Sequence, residues 1–280
     1  MRIPRYWARA EEQAPPNYED VRRVTVWGWS HDSQVDAERD ARQRLTELLD
    51  RLRQGLGFPK GYAYGTRALR EEILEELRDR SGTIDTLLTR NSYGSVVLNA
   101  GQVLFVDIDV PWPTTGQRLA RLFGSRKPTP EATTLTRIRD VLQNDRDGSY
   151  RIYRTAAGFR ILATDPLFTP ASSAAEHLMK ALDADPAFIQ LCRVQESFRA
   201  RLTPKPWRCG QPNPPSSFPR DADDQAAFAR WRDAYDRAAE SKATCRFVEA
   251  IGWGRTHPDA VKIVDVHDRT TKAATALPLA

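Results

Sequence analysis

The sequence predicts an α+β protein, a largely antiparallel sheet with helices packed on it. Apolar and β-branched residues alternate with polar ones through 84–110 and again through 150–164, with turn residues between the runs. On either side of those runs, apolar residues recur at helical spacing behind capping residues. A composition of 40% hydrophobic and 28% charged residues over 280 positions supplies a substantial core and is ordinary for a globular chain.

The chain divides on this reading into a flanking segment, 1–83, and an α+β core, 84–280. In the first, Arg23-Val24-Thr25-Val26-Trp27-Gly28-Trp29 forms a strand. Ser30 and Asp32 then cap a helix of about 33–54, with Val35, Leu45, Leu48, Leu49 and Leu52 on its apolar face. Gly55-Leu56-Gly57-Phe58-Pro59 ends that helix, 62–65 is a loop, and Arg70 to Arg80 reads as an acidic-to-basic helix. Ile84 to Arg90, Ser95 to Asn99 and Val103 to Val110 follow as an antiparallel meander. Pro111-Trp112-Pro113 stops it, and a polar loop leads to a helix near Glu131 to Gln143.

Tyr150 to Arg154 and Phe159 to Thr164 form a hairpin, and helices follow near Ser173 to Leu182 and Ala187 to Val194. In Ser197 to Thr203, Phe198, Ala200 and Leu202 alternate with Arg199 and Arg201, a strand with one apolar and one cationic face. Six prolines mark 204–219 as a loop. A long helix is expected over 221–251, with Phe228, Trp231, Tyr235, Val248 and Ile251 as core residues, then a last strand from Ala260 to Val266 and a loose tail.

The chemistry centres on Val103-Leu104-Phe105-Val106-Asp107-Ile108-Asp109-Val110. Side chains alternate along a strand, so Asp107 and Asp109 share a face and repel each other. A divalent cation of oxygen preference, Mg²⁺ or Mn²⁺, would compensate them. Pairing with arginine or capping of backbone would do so equally well. Of the 42 cationic residues, 7 are lysine, which leaves 35 arginines. Arginine suits bidentate recognition of phosphate, although a GC-rich genome produces the same bias.

Three features taken together resemble the catalytic core of the archaeo-eukaryotic primase and primase-polymerase superfamily. They are the Asp107/Asp109 strand, the turn into Gly158-Phe159-Arg160, and the acid in Val261-Lys262-Ile263-Val264-Asp265-Val266. The resemblance implies a palm-like or RRM-like core, nucleotidyl transfer, and metal ligation by Asp107, Asp109 and Asp265. Two departures stand out. Arg160 occupies the place of the family's nucleotide-contacting histidine, and the gap between the second and third motifs is long. Two metals about 3.5–4 Å apart would activate the attacking oxygen and hold the triphosphate. Arg160, Arg199, Arg201, Lys205 and Arg208 are the candidate phosphate-binding residues, with Trp207 able to stack a base. The reading is therefore a Mg²⁺- or Mn²⁺-dependent enzyme acting on nucleotides or nucleic acid. The alternative is a catalytically inert nucleic-acid- or protein-binding module on the same fold.

Other classes are set aside. Cys192, Cys209 and Cys245 lack CxxC spacing, so no zinc site or disulfide framework is expected and a reducing cytoplasm is the expected location. Met1 to Trp7 has no apolar segment behind it, and no run approaches 18 apolar residues, so neither a secretory signal nor a membrane span is expected. There is no Walker-type phosphate loop and no Gly-x-Ser-x-Gly elbow. His267-Asp268 lacks the companion histidines of a His-based metal site, since the chain has only four histidines.

Overall fold

The computed structural model describes residues 1, 3–18, 20–59, 68–111 and 128–280, and within them the protein is α+β. The loop expected at 62–65 and most of the segment expected to stop the sheet and lead to residue 130 lie outside the described residues. Two compact units are present, Arg2–Glu72 and Ile73–Ala280 with Met1.

In the N-terminal unit, β1 (Tyr6–Gln13) and β2 (Arg23–Ser30) form an antiparallel hairpin, and α1 (Gln34–Arg53) packs on it. The Ser33 side chain caps α1 by accepting from the Asp36 amide at 3.1 Å. Gly28 is required by the packing, because a Cβ there would lie 2.1 Å from the Ala41 amide nitrogen of α1. Val24, Leu45, Leu49 and Leu52 fill the core of this unit. The polar sequence of β1 carries no strand signal; its pairing along all eight residues with β2 makes it one.

The larger unit contains two four-stranded sheets. One runs β3 (Glu72–Arg78), β4 (Ile84–Arg90), β5 (Val96–Ala100), β9 (Phe198–Arg201). The other runs β10 (Cys245–Gly252), β7 (Ser149–Thr155), β8 (Gly158–Asp165), β6 (Phe105–Asp109). Around them lie α2 (Pro130–Asn144), α3 (Ser173–Ala181), α4 (Pro186–Gln195), α5 (Ala222–Glu240) and α6 (Pro258–Thr271). A single apolar core joins both sheets and includes Leu98, Phe105, Val106, Ile138, Ile152, Ile161, Phe198 and Ile263. Among the described residues no helix is long and apolar enough to cross a membrane.

Several expectations are corrected. The segment 70–80 is the strand β3, hydrogen-bonded beside β4, and the division between units falls after residue 72 instead of 83. The meander breaks after β5: the second edge of β5 is taken by β9, and β6 crosses to the other sheet to pair with β8. The helix expected over 221–251 ends at Glu240, and Cys245–Gly252 pairs with β7 as β10. The β-branched and aromatic content of that segment outweighs a helical pattern that Val248 and Ile251 continued only by coincidence.

The expected strand 260–266 is helix α6. Pro258 occupies its first turn, the His257 side chain caps it, and Ala260, Ile263, Val266, His267 and Thr271 form its buried side. The terminal segment is docked, since the amides of Ala243 and Ala280 bond to the Pro278 and Ala243 carbonyls at 3.0 Å. Phe228, Trp231 and Tyr235 are core residues, as their spacing predicts, with the Trp231 indole donating to the Pro212 carbonyl at 2.9 Å.

Candidate functional site

Strand β6 places Asp107 and Asp109 on its exposed side, with Val106 and Ile108 buried on the other. Asp107 stands opposite Arg160 in β8, Arg160 opposite Tyr153 in β7, and Tyr153 opposite Phe247 in β10. These four residues form one row across the sheet. Gly158 lets the strands close, because a Cβ there would lie 1.9 Å from the Ile108 carbonyl oxygen.

The row is centred on an ion pair whose guanidinium is buried. Arg160 Nε donates to Asp107 Oδ1 at 2.6 Å and Nη2 to Oδ2 at 2.8 Å, a bidentate arrangement. The Arg160 side chain is 1% exposed, while 47% of the Asp107 side-chain surface is reached by water despite the protein atoms crowding its carboxyl. Arg160 Nη1 donates to the Arg201 carbonyl at 2.8 Å and lies 3.5 Å from both Cys245 Sγ and His267 Nε2. Crowding raises the Asp107 pKa, but the charge and hydrogen bonds of Arg160 outweigh it and hold the carboxyl below its ordinary value. Burial pushes the Cys245 thiol up to about 11, against the opposing charge of Arg160, so it is not a reactive thiolate.

Helix α6 brings His267 over the row, completely buried, 4.7 Å from the Tyr153 ring and 5.5 Å from that of Phe105. Burial lowers its pKa, a shift that the Asp268 hydrogen bond opposes and Arg160 reinforces. The ring is therefore neutral near pH 7. The assignment that satisfies both neighbours has Nδ1–H donating to Asp268 Oδ1 at 2.9 Å and Nε2 facing Arg160. Asp268 also accepts from Arg151 Nη2 at 2.8 Å, and Arg151 Nε donates to the Tyr153 hydroxyl at 2.7 Å. A continuous polar chain thus runs Asp107–Arg160–His267–Asp268–Arg151–Tyr153.

Beside Asp107, the end of β9 and the turn that follows gather cations. Burial lowers the Arg201 pKa, and Arg160 and Arg208 lower it further. Partial burial likewise lowers the Lys205 pKa, followed by Arg201 and Arg208, against the weaker pull of Asp109 and Asp107. A 3-10 turn, Pro206–Cys209, presents Trp207, which is 50% exposed. Its ring lies 5.4 Å from Lys205 Nζ and meets the half-exposed Tyr93 edge-on at 5.3 Å.

The structure therefore brings together Asp107, Asp109, Arg160, Arg201, Lys205 and Arg208. It does not bring Asp265 to them. Asp265 lies on the exposed side of α6, paired with Arg269 Nη2 at 2.8 Å, because the segment carrying it is a helix. The Arg199 guanidinium bonds to Asn99 Oδ1 across the sheet. Arg160, expected to bind phosphate, is instead the buried counter-ion of Asp107. His267, Cys245, Arg151 and Tyr153 also belong to this site, although no motif in the sequence marks them as site residues. The signal for His267 was its helical spacing from Ala260 and Ile263 behind Pro258.

A two-metal centre does not fit these residues. Both Asp107 oxygens are held by Arg160, and among the described residues no three of His, Cys, Asp and Glu are grouped to hold a metal ion. Comparison with family models, with curated proteins and with solved structures gives no match for this chain.

Proposed function

We propose that this protein is a nucleic-acid-binding module that grips single strands, with Arg201, Lys205 and Arg208 on phosphates and Trp207 stacking a base. The convergence of three cations within 201–208, beside an exposed tryptophan, supports this reading. At Lys205 burial lowers the pKa most, and the repulsion from Arg201 and Arg208 adds to it more than Asp109 and Asp107 each offset, so a bound polyanion would relieve the crowding of positive charge. Asp107 is paired with Arg160. An unpaired base can lie on Trp207, whereas a duplex keeps its bases stacked inside.

The test is fluorescence anisotropy of a labelled single-stranded oligonucleotide across a salt series. Three phosphate contacts give a slope of log affinity against log salt near about −2 for single strands. Lys205→Gln/Arg208→Gln should flatten it by about 1.4, and Trp207→Ala should weaken binding by about 1–3 kcal/mol without changing the slope. Equal affinity and equal slope in the double variant would refute the interface.

A further inference from the structure

We infer that the groove along the outer edge of β10 is a second ligand site, built for a phosphate monoester that also bears a planar base, the class of a nucleoside monophosphate. The groove, of about 530 Å³, is lined by Arg151, Arg246, Phe247, Asp268 and the segment from Ala273 to Ala276. That is within the size range of small-molecule sites. It is separate from the cationic interface. The cross-strand row runs from Asp107 on β6 to Phe247 on β10, three strand spacings or about 14 Å apart.

The chemistry follows from three features. Phe247 is 38% exposed on an edge strand, yet it is held in place by Tyr153 edge-on at 5.8 Å and by the Arg151 guanidinium 4.4 Å from its ring centroid. A phenyl ring stacked with a guanidinium is a platform for another planar group. Arg246 Nη2 is anchored to the Ala276 and Leu277 carbonyls at 3.3 and 2.9 Å, which fixes the guanidinium at the rim and leaves Nε and Nη1 for ligand oxygens. The wall charges, Arg151 and Arg246 against Asp268, sum to +1, which matches an anion. The far wall is held in place by the Phe247 amide donating to the Ala273 carbonyl at 2.9 Å.

The experiment is isothermal titration of the full chain with AMP, with adenosine and inorganic phosphate as separate arms. AMP should bind saturably and at least tenfold more tightly than either arm. Arg246→Ala and Phe247→Ala should each weaken AMP about tenfold, while Arg246→Ala keeps wild-type affinity for the single-stranded oligonucleotide. Arg151 is left intact because it also holds Asp268. Unchanged AMP affinity in Arg246→Ala would overturn the site, as would inorganic phosphate binding as tightly as AMP. Loss of oligonucleotide binding in Arg246→Ala would overturn the separation of the two sites, whatever the outcome at Lys205 and Arg208.

Discussion

Asp107→Asn should destabilise this protein more than Arg160→Met does, although Asp107 is the residue nearer to water. The amide removes the charge opposite a guanidinium that is 1% exposed, and Arg160 then keeps only the Arg201 carbonyl among its oxygen partners of full strength, plus what the asparagine carbonyl can accept. Stranding one member of a buried pair costs about 3–5 kcal/mol. Water reaching the exposed side of position 107 lowers this to about 3 kcal/mol. Arg160→Met removes the buried charge altogether and leaves Asp107 hydrated over 47% of its side chain. The two lost charge-assisted bonds are then offset by the guanidinium desolvation no longer required. What remains is an unpaired Arg201 carbonyl, worth about 1 kcal/mol. The difference of about 2 kcal/mol corresponds to about 4–8 °C in Tm for a unit of this size. Urea unfolding followed by circular dichroism, with thermal melts alongside, measures it. If Arg160→Met were as destabilising as Asp107→Asn, the buried guanidinium would not be the demanding member of the pair.

Two further predictions test the same region. The folded pKa of His267 lies below its unfolded value of about 6.5, so the unfolded chain takes up a proton first as pH falls. That contribution is complete above pH 6.5 and lost below it, and urea midpoints between pH 7.5 and 5.5 should fall less in His267→Gln than in the wild type; parallel slopes would refute a neutral buried histidine. Millimolar Mg²⁺ or Mn²⁺ should leave the melting temperature of the wild type unchanged, because Arg160 holds both Asp107 oxygens; a rise abolished by Asp107→Asn would restore metal-dependent nucleotidyl transfer as the leading reading.

The sequence by itself determined the elements whose signal is local. The period-two runs at 84–90, 96–100 and 150–164 became β4, β5, β7 and β8, and the capped helices at 34–53, 130–144, 173–181 and 186–195 stand within a residue or two of their expected ends. It also placed Asp107 and Asp109 on one face and named arginine pairing as one way to compensate them, which is how Asp107 is held. The tertiary structure decided whatever depended on distant partners. A polar stretch became β1 because β2 offers a complete ladder, and 245–252 became β10 because β7 had a free edge. The role of Arg160 turned on its register opposite Asp107, 53 residues away, and on His267 arriving from α6. Spacing along a chain records which face a side chain takes, but the partner it meets there is set by strand order and helix packing, to which residues far apart in sequence contribute together.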